Sequence, residues 1–338
     1  MIICRTPFRV SLFGGGTDFP AWYLNHGGAV LGTTINKYCY LTVRTLPPFF
    51  EHKHRVVYSR IELAQKISEI QHPSVRAVMS EMAIDEGLEI HHDGDLPARS
   101  GLGSSSSFTV GLLHVLSAYR GRMISARALA QEAIRIEQEV IGEAVGSQDQ
   151  IWAAHGGLSR ISFSQDGSFD VHPIVVEPDR RKLLNSHMML FFTGFSRIAA
   201  EIEQEKIANV DKRKTQLRAL GAMVDEGTQI LQNRNGDITE IGELLNEAWR
   251  LKKEMSDRVT TKAIDEIYDA ALEAGAIGGK LLGAGGGGFL LLFVAPEKHV
   301  AVRRRLSALT HVSIEIGSPG SRIVVYEPEE QEIFQGPP

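Results

Sequence analysis

Residues 96–107, Leu-Pro-Ala-Arg-Ser-Gly-Leu-Gly-Ser-Ser-Ser-Ser, are small and hydroxyl-rich, and they feed directly into an apolar helix predicted over 108–119. A helix start leaves about four backbone N–H groups unpaired and carries about half a unit of positive charge, which favours an anion there. Small residues let the backbone approach phosphate oxygens closely, and serine hydroxyls can donate to phosphate or ligate Mg²⁺. The same run also suits a plain serine-rich helix cap or a turn. This loop therefore restricts the chain to folds that place a strand-to-helix junction at an exposed anion seat, or to ones that merely cap a helix.

Glycine is the composition outlier, and it is clustered. The chain has 33 glycines among 338 residues, about 10% against the usual ~7%. The excess sits at Gly14-Gly15-Gly16, at Gly101 with Gly103, and at Gly283 followed by 285–288. Two familiar phosphate templates fail. Gly279-Lys280 is followed by Leu281 and position 274 is Ala, so the pattern G-x-x-x-x-G-K-[ST] is absent. Gly283, Gly285 and Gly288 match G-x-G-x-x-G but lead into a strand instead of joining a strand to a helix, which removes the dinucleotide reading.

A length of 338 residues predicts two domains, with a boundary expected at 187/188 where the pattern changes (1–187 and 188–338). The net charge of −5 provides no global positive field for nucleic acid or an anionic membrane. The only cysteines, Cys4 and Cys39, exclude a disulfide scaffold and a cysteine-based zinc site. Arg5, Pro7 and Arg9 interrupt the first ten residues, and the longest apolar run, 289–295, is far short of the ~20 residues of a membrane span. A cytoplasmic protein is expected, with homo-oligomerisation left open.

Short β-branched or aromatic runs predict strands over 2–4, 9–13, 29–33, 38–44, 55–58, 88–92, 158–163, 188–192, 289–294 and 322–326. Helical spacing predicts helices over 73–86, 108–119, 126–141 (with Ser125 as N-cap), 198–233, 238–258, 261–274 and 296–309. On the helix from Ala126 the apolar stripe is Ala126, Leu129, Ala130, Ala133, Ile134, Val140 and Ile141, and Glu137 falls on it. A carboxylate facing a core is costly unless it is paired or binds a cation. A buried arginine partner or a snorkelling end position explains it as well. Asp149 follows twelve positions later, among small residues just past a helix end, either in a solvated turn or placed as a general base.

These motifs, in this order and spacing, resemble the GHMP kinases, the family of galactokinase, homoserine, mevalonate and phosphomevalonate kinases. Arg9 to Asp18 (R-V-S-L-F-G-G-G-T-D) is similar to the family's substrate-side motif, Pro97 to Ser107 to its phosphate loop, and Lys280 to Phe289 to its third, glycine-rich motif. The resemblance implies an α+β fold of two domains, an N-terminal ribosomal-S5-like α/β domain and a C-terminal ferredoxin-like α/β domain with added helices. It implies ATP bound by Pro97, Arg99, Ser100, Gly101, Leu102, Gly103, Ser104, Ser105, Ser106 and Ser107 with Gly285 and Gly286. It places Mg²⁺ on Ser105 (or its neighbours Ser104 and Ser106) and Glu137, catalysis on Asp149 and Arg9, and sugar hydroxyls on Asp18.

Where galactokinases carry G-E-H-T-D, this chain reads Gly14-Gly15-Gly16-Thr17-Asp18. Loss of the Glu and His opens space for a larger sugar substituent, so Gly15, Gly16, Thr17 and Asp18 are expected to line the acceptor. With Phe192-Thr193-Gly194-Phe195-Ser196-Arg197, this version looks like the bacterial branch that includes D-glycero-D-manno-heptose 7-phosphate kinase, and less closely fucokinase. Arg197 suits a sugar phosphate; it equally suits a surface residue at a helix start. The expected activity is ATP- and Mg²⁺-dependent phosphorylation of the anomeric hydroxyl of a sugar or a sugar phosphate, most closely the 7-phosphate. A kinase of an unphosphorylated sugar is the alternative, and a non-catalytic sugar or nucleotide sensor is a third reading that has no need of Asp149.

Overall fold

Two long strands organise the first sheet: β1 (Ile2–Phe13) and β2 (Gly28–Thr45). The sequence pattern breaks each of them in two, at Pro7 and around Asn36. In the computed structural model, which describes residues 1–194 and 199–328, both run through, and the irregularity is absorbed as a register shift between Pro7 and Arg9. Proline lacks the N–H a ladder needs, so it survives in a strand where pairing is locally relaxed.

Because β2 is long, it serves two neighbours. Its second half pairs with β5 (Leu88–Gly94) and its first half with β6 (Leu158–Phe163). Beyond β5 lie β3 (His54–Val57) and β4 (Ile61–Ala64), and beyond β6 lies β7 (Phe169–Pro173). Against this sheet pack α3 (Ser104–Tyr119) and α5 (Gln148–His155), on which α2 (Pro73–Glu81) and α4 (Ala126–Arg135) pack in turn, after a short α1 (Pro20–His26) that follows β1. In α3, Val110, Leu112, Leu113, Val115 and Leu116 are all buried. A helix apolar on every side belongs inside, and each such side chain contributes about 1.5–3 kcal/mol.

Helix α6 (Pro178–Ser186) leads into the second sheet, whose strands are β8 (Met188–Phe192), β9 (Ala276–Leu281), β10 (Phe289–Val294) and β11 (Thr310–Val312). Their spatial order is β11-β8-β10-β9, all antiparallel. With α11 (His299–Arg305) between β10 and β11, this is the ferredoxin-like order expected from the resemblance. Four helices fall between β8 and β9, where the ferredoxin-like pattern has one: α7 (Ala199–Ala208), α8 (Lys214–Gln232), α9 (Glu240–Lys253) and α10 (Lys262–Glu273). The second sheet begins at Met188, but the last strand, β12 (Arg322–Tyr326), returns to pair with β1 in the first.

Three local readings change. The helix predicted from Phe108 starts at Ser104, so all four serines lie in its first turn and not in the loop; Gly103, with φ 73°, makes the left-handed entry that lets it start there. The helix predicted over 126–141 stops at Arg135 and is followed by one π-turn, Ile136–Val140. Asp149, read just past a helix end as a solvated turn or a placed base, sits in the first turn of α5. Among the described residues no helix is long and apolar enough to cross a membrane.

Candidate active site

The end of β1, the start of α3, the π-turn, the start of α5, α7, α9 and the end of β9 meet around one cavity. Arg9, at the β1 end, joins three of these. Its backbone N–H donates to the Leu102 carbonyl at 3.1 Å, and its Nη1 donates to the Gly101 carbonyl at 2.6 Å. Its Nε and Nη2 donate to the two oxygens of Asp149 at 2.7 and 2.6 Å. This is a bidentate fork–fork pair, the strongest geometry open to an arginine and a carboxylate. The Arg9 side chain is 6% exposed and that of Asp149 23%, so the carboxylate alone keeps an open side.

The loop before α3 is held by its own hydroxyls. Ser100 Oγ donates to the Pro97 carbonyl at 2.6 Å, Ser104 Oγ accepts the Arg99 N–H at 3.0 Å, and Ser107 Oγ donates to the Pro7 carbonyl at 2.9 Å. Leu102 is fully buried in the core. Of the residues expected on the nucleotide, only Ser105 and Ser106 line the cavity; the others shape the loop that presents them. Gly285 and Gly286 pack behind it, with the Gly286 N–H donating to the Val259 carbonyl at 2.9 Å, while Gly283 reaches the cavity wall. The two loops touch at Gly101: a Cβ there would stand 2.6 Å from the Leu282 carbonyl oxygen, at a φ of +87°. Gly101→Ala is therefore expected to displace the loop, lower the thermal midpoint by several degrees, and raise KM for ATP more than it lowers kcat. Unchanged ATP kinetics would show that the loop does not set nucleotide affinity.

Glu137 points inward from the π-turn and is 1% exposed. Its Oε2 accepts from Ser106 Oγ at 2.9 Å and from the Gln150 side-chain amide, whereas its Oε1 is buried without a partner. Burial pushes its carboxyl up to about 7. Of the three serines left open for a metal, Ser106 is the one that touches Glu137, and Ser105 stands at the cavity opening. An orphaned, dry carboxylate oxygen beside hydroxyls is a donor set that fits a hard divalent cation.

On the other side of Asp149 the turn after β1 folds round Asp18. The Gly16 N–H and the Gln148 amide donate to its two oxygens at 2.9 and 2.8 Å. Asp18 is fully enclosed, and its carboxyl is pushed up to about 6 by burial first and by the charges of Asp149 and Glu203 next. Gly15 and Gly16 line the cavity, but a Cβ at Gly16, where φ is +103°, would stand 2.9 Å from Leu217 Cδ2, so Gly16 serves the turn and does not clear the space expected of it. Thr17 does not line the cavity: its single hydroxyl proton is shared between the carbonyls of Gly14 and Ala29, at 2.9 and 2.7 Å, which closes the turn. Arg197 lies outside the described residues.

Sequence reasoning missed Ser11, Gln148, Glu203, Lys206, Lys252 and Lys280, all on the cavity wall. Lys280 opens the third motif, which was the available sign. Lys206 and Lys252 sit on helices rich in charged residues, where nothing local marks an inward lysine.

Two models of one family match the chain, GHMP kinases N terminal domain over residues 63–157 and GHMP kinases C terminal over residues 229–310, together more than half of it. The chain belongs to the GHMP kinases. The first match holds the loop, Glu137 and Asp149; the second holds Lys252, Lys280 and the third motif. This GHMP kinase is similar to D-glycero-alpha-D-manno-heptose 7-phosphate kinase of Campylobacter jejuni, 29% identical over 304 residues that span 87% of this chain and 89% of that one. It is similar also to galactokinase of Pyrococcus furiosus, 28% identical over 331 residues, 88% and 90% of the two chains. A D-glycero-D-manno-heptose 1-phosphate kinase from Bacteroides thetaiotaomicron shares its fold, with a TM-score of 0.78 and 22% identity over 97% of this chain and 100% of that one.

Proposed function

We propose that this GHMP kinase transfers the γ-phosphoryl group of ATP to the anomeric hydroxyl of a sugar phosphate, with D-glycero-D-manno-heptose 7-phosphate as acceptor and the 1,7-bisphosphate as product. The observation that carries the reading is the Arg9–Asp149 pair, set between the Asp18 turn on one side and the Ser106–Glu137 contact on the other. An acceptor held at Asp18 and a nucleotide held at the α3 start would meet at Asp149.

Each oxygen of Asp149 accepts one hydrogen bond from Arg9 and retains lone pairs, so it can take the hydroxyl proton as the new O–P bond forms. Arg9 keeps that carboxylate fixed and lends positive charge where the transferred group passes. The N–H groups at the start of α3 would hold the nucleotide's phosphates. Glu137 and Ser106, with Ser105 next to them, would hold Mg²⁺, which when bound neutralises charge on the phosphates. Gly15 leaves room for a long acceptor, since a Cβ there would meet nothing closer than Ser11 Oγ at 3.8 Å.

The similarity to the Campylobacter jejuni enzyme supports the heptose phosphate. A galactokinase is nearly as similar, at 28%, which favours an unphosphorylated sugar as the second reading. The test is ADP release with Mg·ATP across heptose 7-phosphate, heptose, mannose, fucose and galactose, with the product's phosphate position read by phosphorus NMR. The 7-phosphate is expected to be turned over with a kcat/KM at least ~10-fold above every free sugar, a margin that one charge-assisted phosphate contact can supply. Equal or better turnover of a free sugar overturns it.

A further inference from the structure

Three lysines reach the cavity from the second-sheet side. Lys206 on α7 and Lys280 on β9 are each 6% exposed, and Lys252 on α9 is half-buried. Lys206 is paired with Glu203 at 3.2 Å. Lys252 Nζ donates only to carbonyls, those of Leu281 and Gly283, at 2.7 and 2.6 Å, and Lys280 Nζ donates to the Leu12 carbonyl at 2.9 Å. Among the described residues, neither has a carboxylate within ion-pair distance.

The acids facing this wall are already engaged. Asp149 is held by Arg9, Asp18 by Gly16 and Gln148, Glu203 by Lys206, and Glu137 by Ser106 and Gln150. Burial, and then the charges of Arg9 and Lys206, pull Lys280 down to about 7, and burial with the neighbouring lysines holds Lys252 well below its ordinary value. Clustered buried ammoniums without a counter-charge are costly, and an incoming anion removes that cost. An ammonium has three donors, so Lys280 keeps two free and Lys252 one.

We infer that Lys252 and Lys280, with Lys206 beside them, form a second anion site in the cleft, which takes the phosphate that the acceptor sugar already carries. This rests on the sugar-phosphate reading above. A dianionic phosphate matches two or three converging ammoniums. The wall adjoins the nucleotide side, since Lys252 bonds the Gly283 carbonyl and Gly283 packs on Gly101; it also reaches the acceptor side, where Lys280 is bonded to β1 two residues before the turn that encloses Asp18. The other source of the same chemistry is the nucleotide itself.

The test is calorimetric binding to the full chain, without turnover, of heptose 7-phosphate, heptose, inorganic phosphate and Mg²⁺ with a non-hydrolysable ATP analogue. The wild type is expected to bind the 7-phosphate at least ~10-fold more tightly than heptose. Lys280→Met and Lys252→Met should each remove most of that margin, leave heptose binding unchanged, and abolish the rise in thermal midpoint that inorganic phosphate gives the wild type. Lys280→Arg should retain part of it. The unliganded midpoint of Lys280→Met should not fall, because a buried unpaired charge has been removed; a structural lysine would lower it. Equal weakening of phosphorylated and free sugar, or weakening of the ATP analogue alone, overturns the inference. Turnover of heptose 7-phosphate with silent lysine variants overturns this site and leaves the kinase reading standing. Lysine-dependent binding of the 7-phosphate without its turnover keeps the anion site and removes heptose 7-phosphate as the substrate.

Discussion

Asp149→Asn is expected to lower kcat by about 10²–10⁴-fold while KM for ATP changes little, because the amide cannot accept the hydroxyl proton. A second effect follows from the pairing. Arg9 donates to both Asp149 oxygens, and an asparagine offers one oxygen and one NH₂, so a guanidinium that is 6% exposed loses half of its fork and meets a donor. Removing one partner of a fully buried pair costs about 3–5 kcal/mol. Asp149 is 23% exposed, so the loss should be smaller, visible as a fall of several degrees in thermal midpoint. The two effects separate in the double variant Arg9→Met/Asp149→Asn. Removing both charges should recover most of the stability and none of the turnover. If Asp149→Asn retains kcat and loses ATP affinity instead, Asp149 holds the nucleotide or the loop and is not the base.

How much of this was legible beforehand depended on whether the cause was local. The loop into α3 was readable because its residue types are unusual together, and Glu137 because it breaks an apolar stripe. The π-turn that carries Glu137 went unread, since no single residue there announces it. The start of α3 at Ser104 went unread because serine is a weak helix former whose value is at helix ends. Strand β9, Ala-Ile-Gly-Gly-Lys-Leu, has poor strand propensity and forms because all of it but Ile277 pairs with the apolar β10. The lysine wall is the clearest case of a non-local cause. Lys206, Lys252 and Lys280 are far apart in sequence, and each looks like a solvated residue until α7, α9 and β9 close on β1.

Glu137→Gln is expected to reduce turnover by about 10²-fold or more while the fold stands, in keeping with the several kcal/mol a catalytic cation supplies. The hydrogen bonds explain why glutamine is a clean probe. Ser106 and the Gln150 amide donate to Oε2, so a glutamine can place its one oxygen there and must then put its NH₂ where Oε1 now stands unpartnered. An NH₂ at that point cannot ligate Mg²⁺. Stability gives an independent reading with a definite sign. The folded carboxyl titrates near 7, above the ordinary value of 4.5, so its contribution is present below about pH 4.5 and is lost as pH rises through about 7. Without metal, Glu137→Gln should therefore match the wild type at pH 4.5 and exceed it at pH 8, where the wild type buries a bare charge. Added Mg²⁺ should reverse the order at pH 8 by stabilising only the wild type, and its apparent affinity should weaken by about tenfold per pH unit below 7, as the proton competes for the same oxygen. Equal stabilisation of both proteins by Mg²⁺, or wild-type turnover in the glutamine variant, would return Glu137 to a purely structural part.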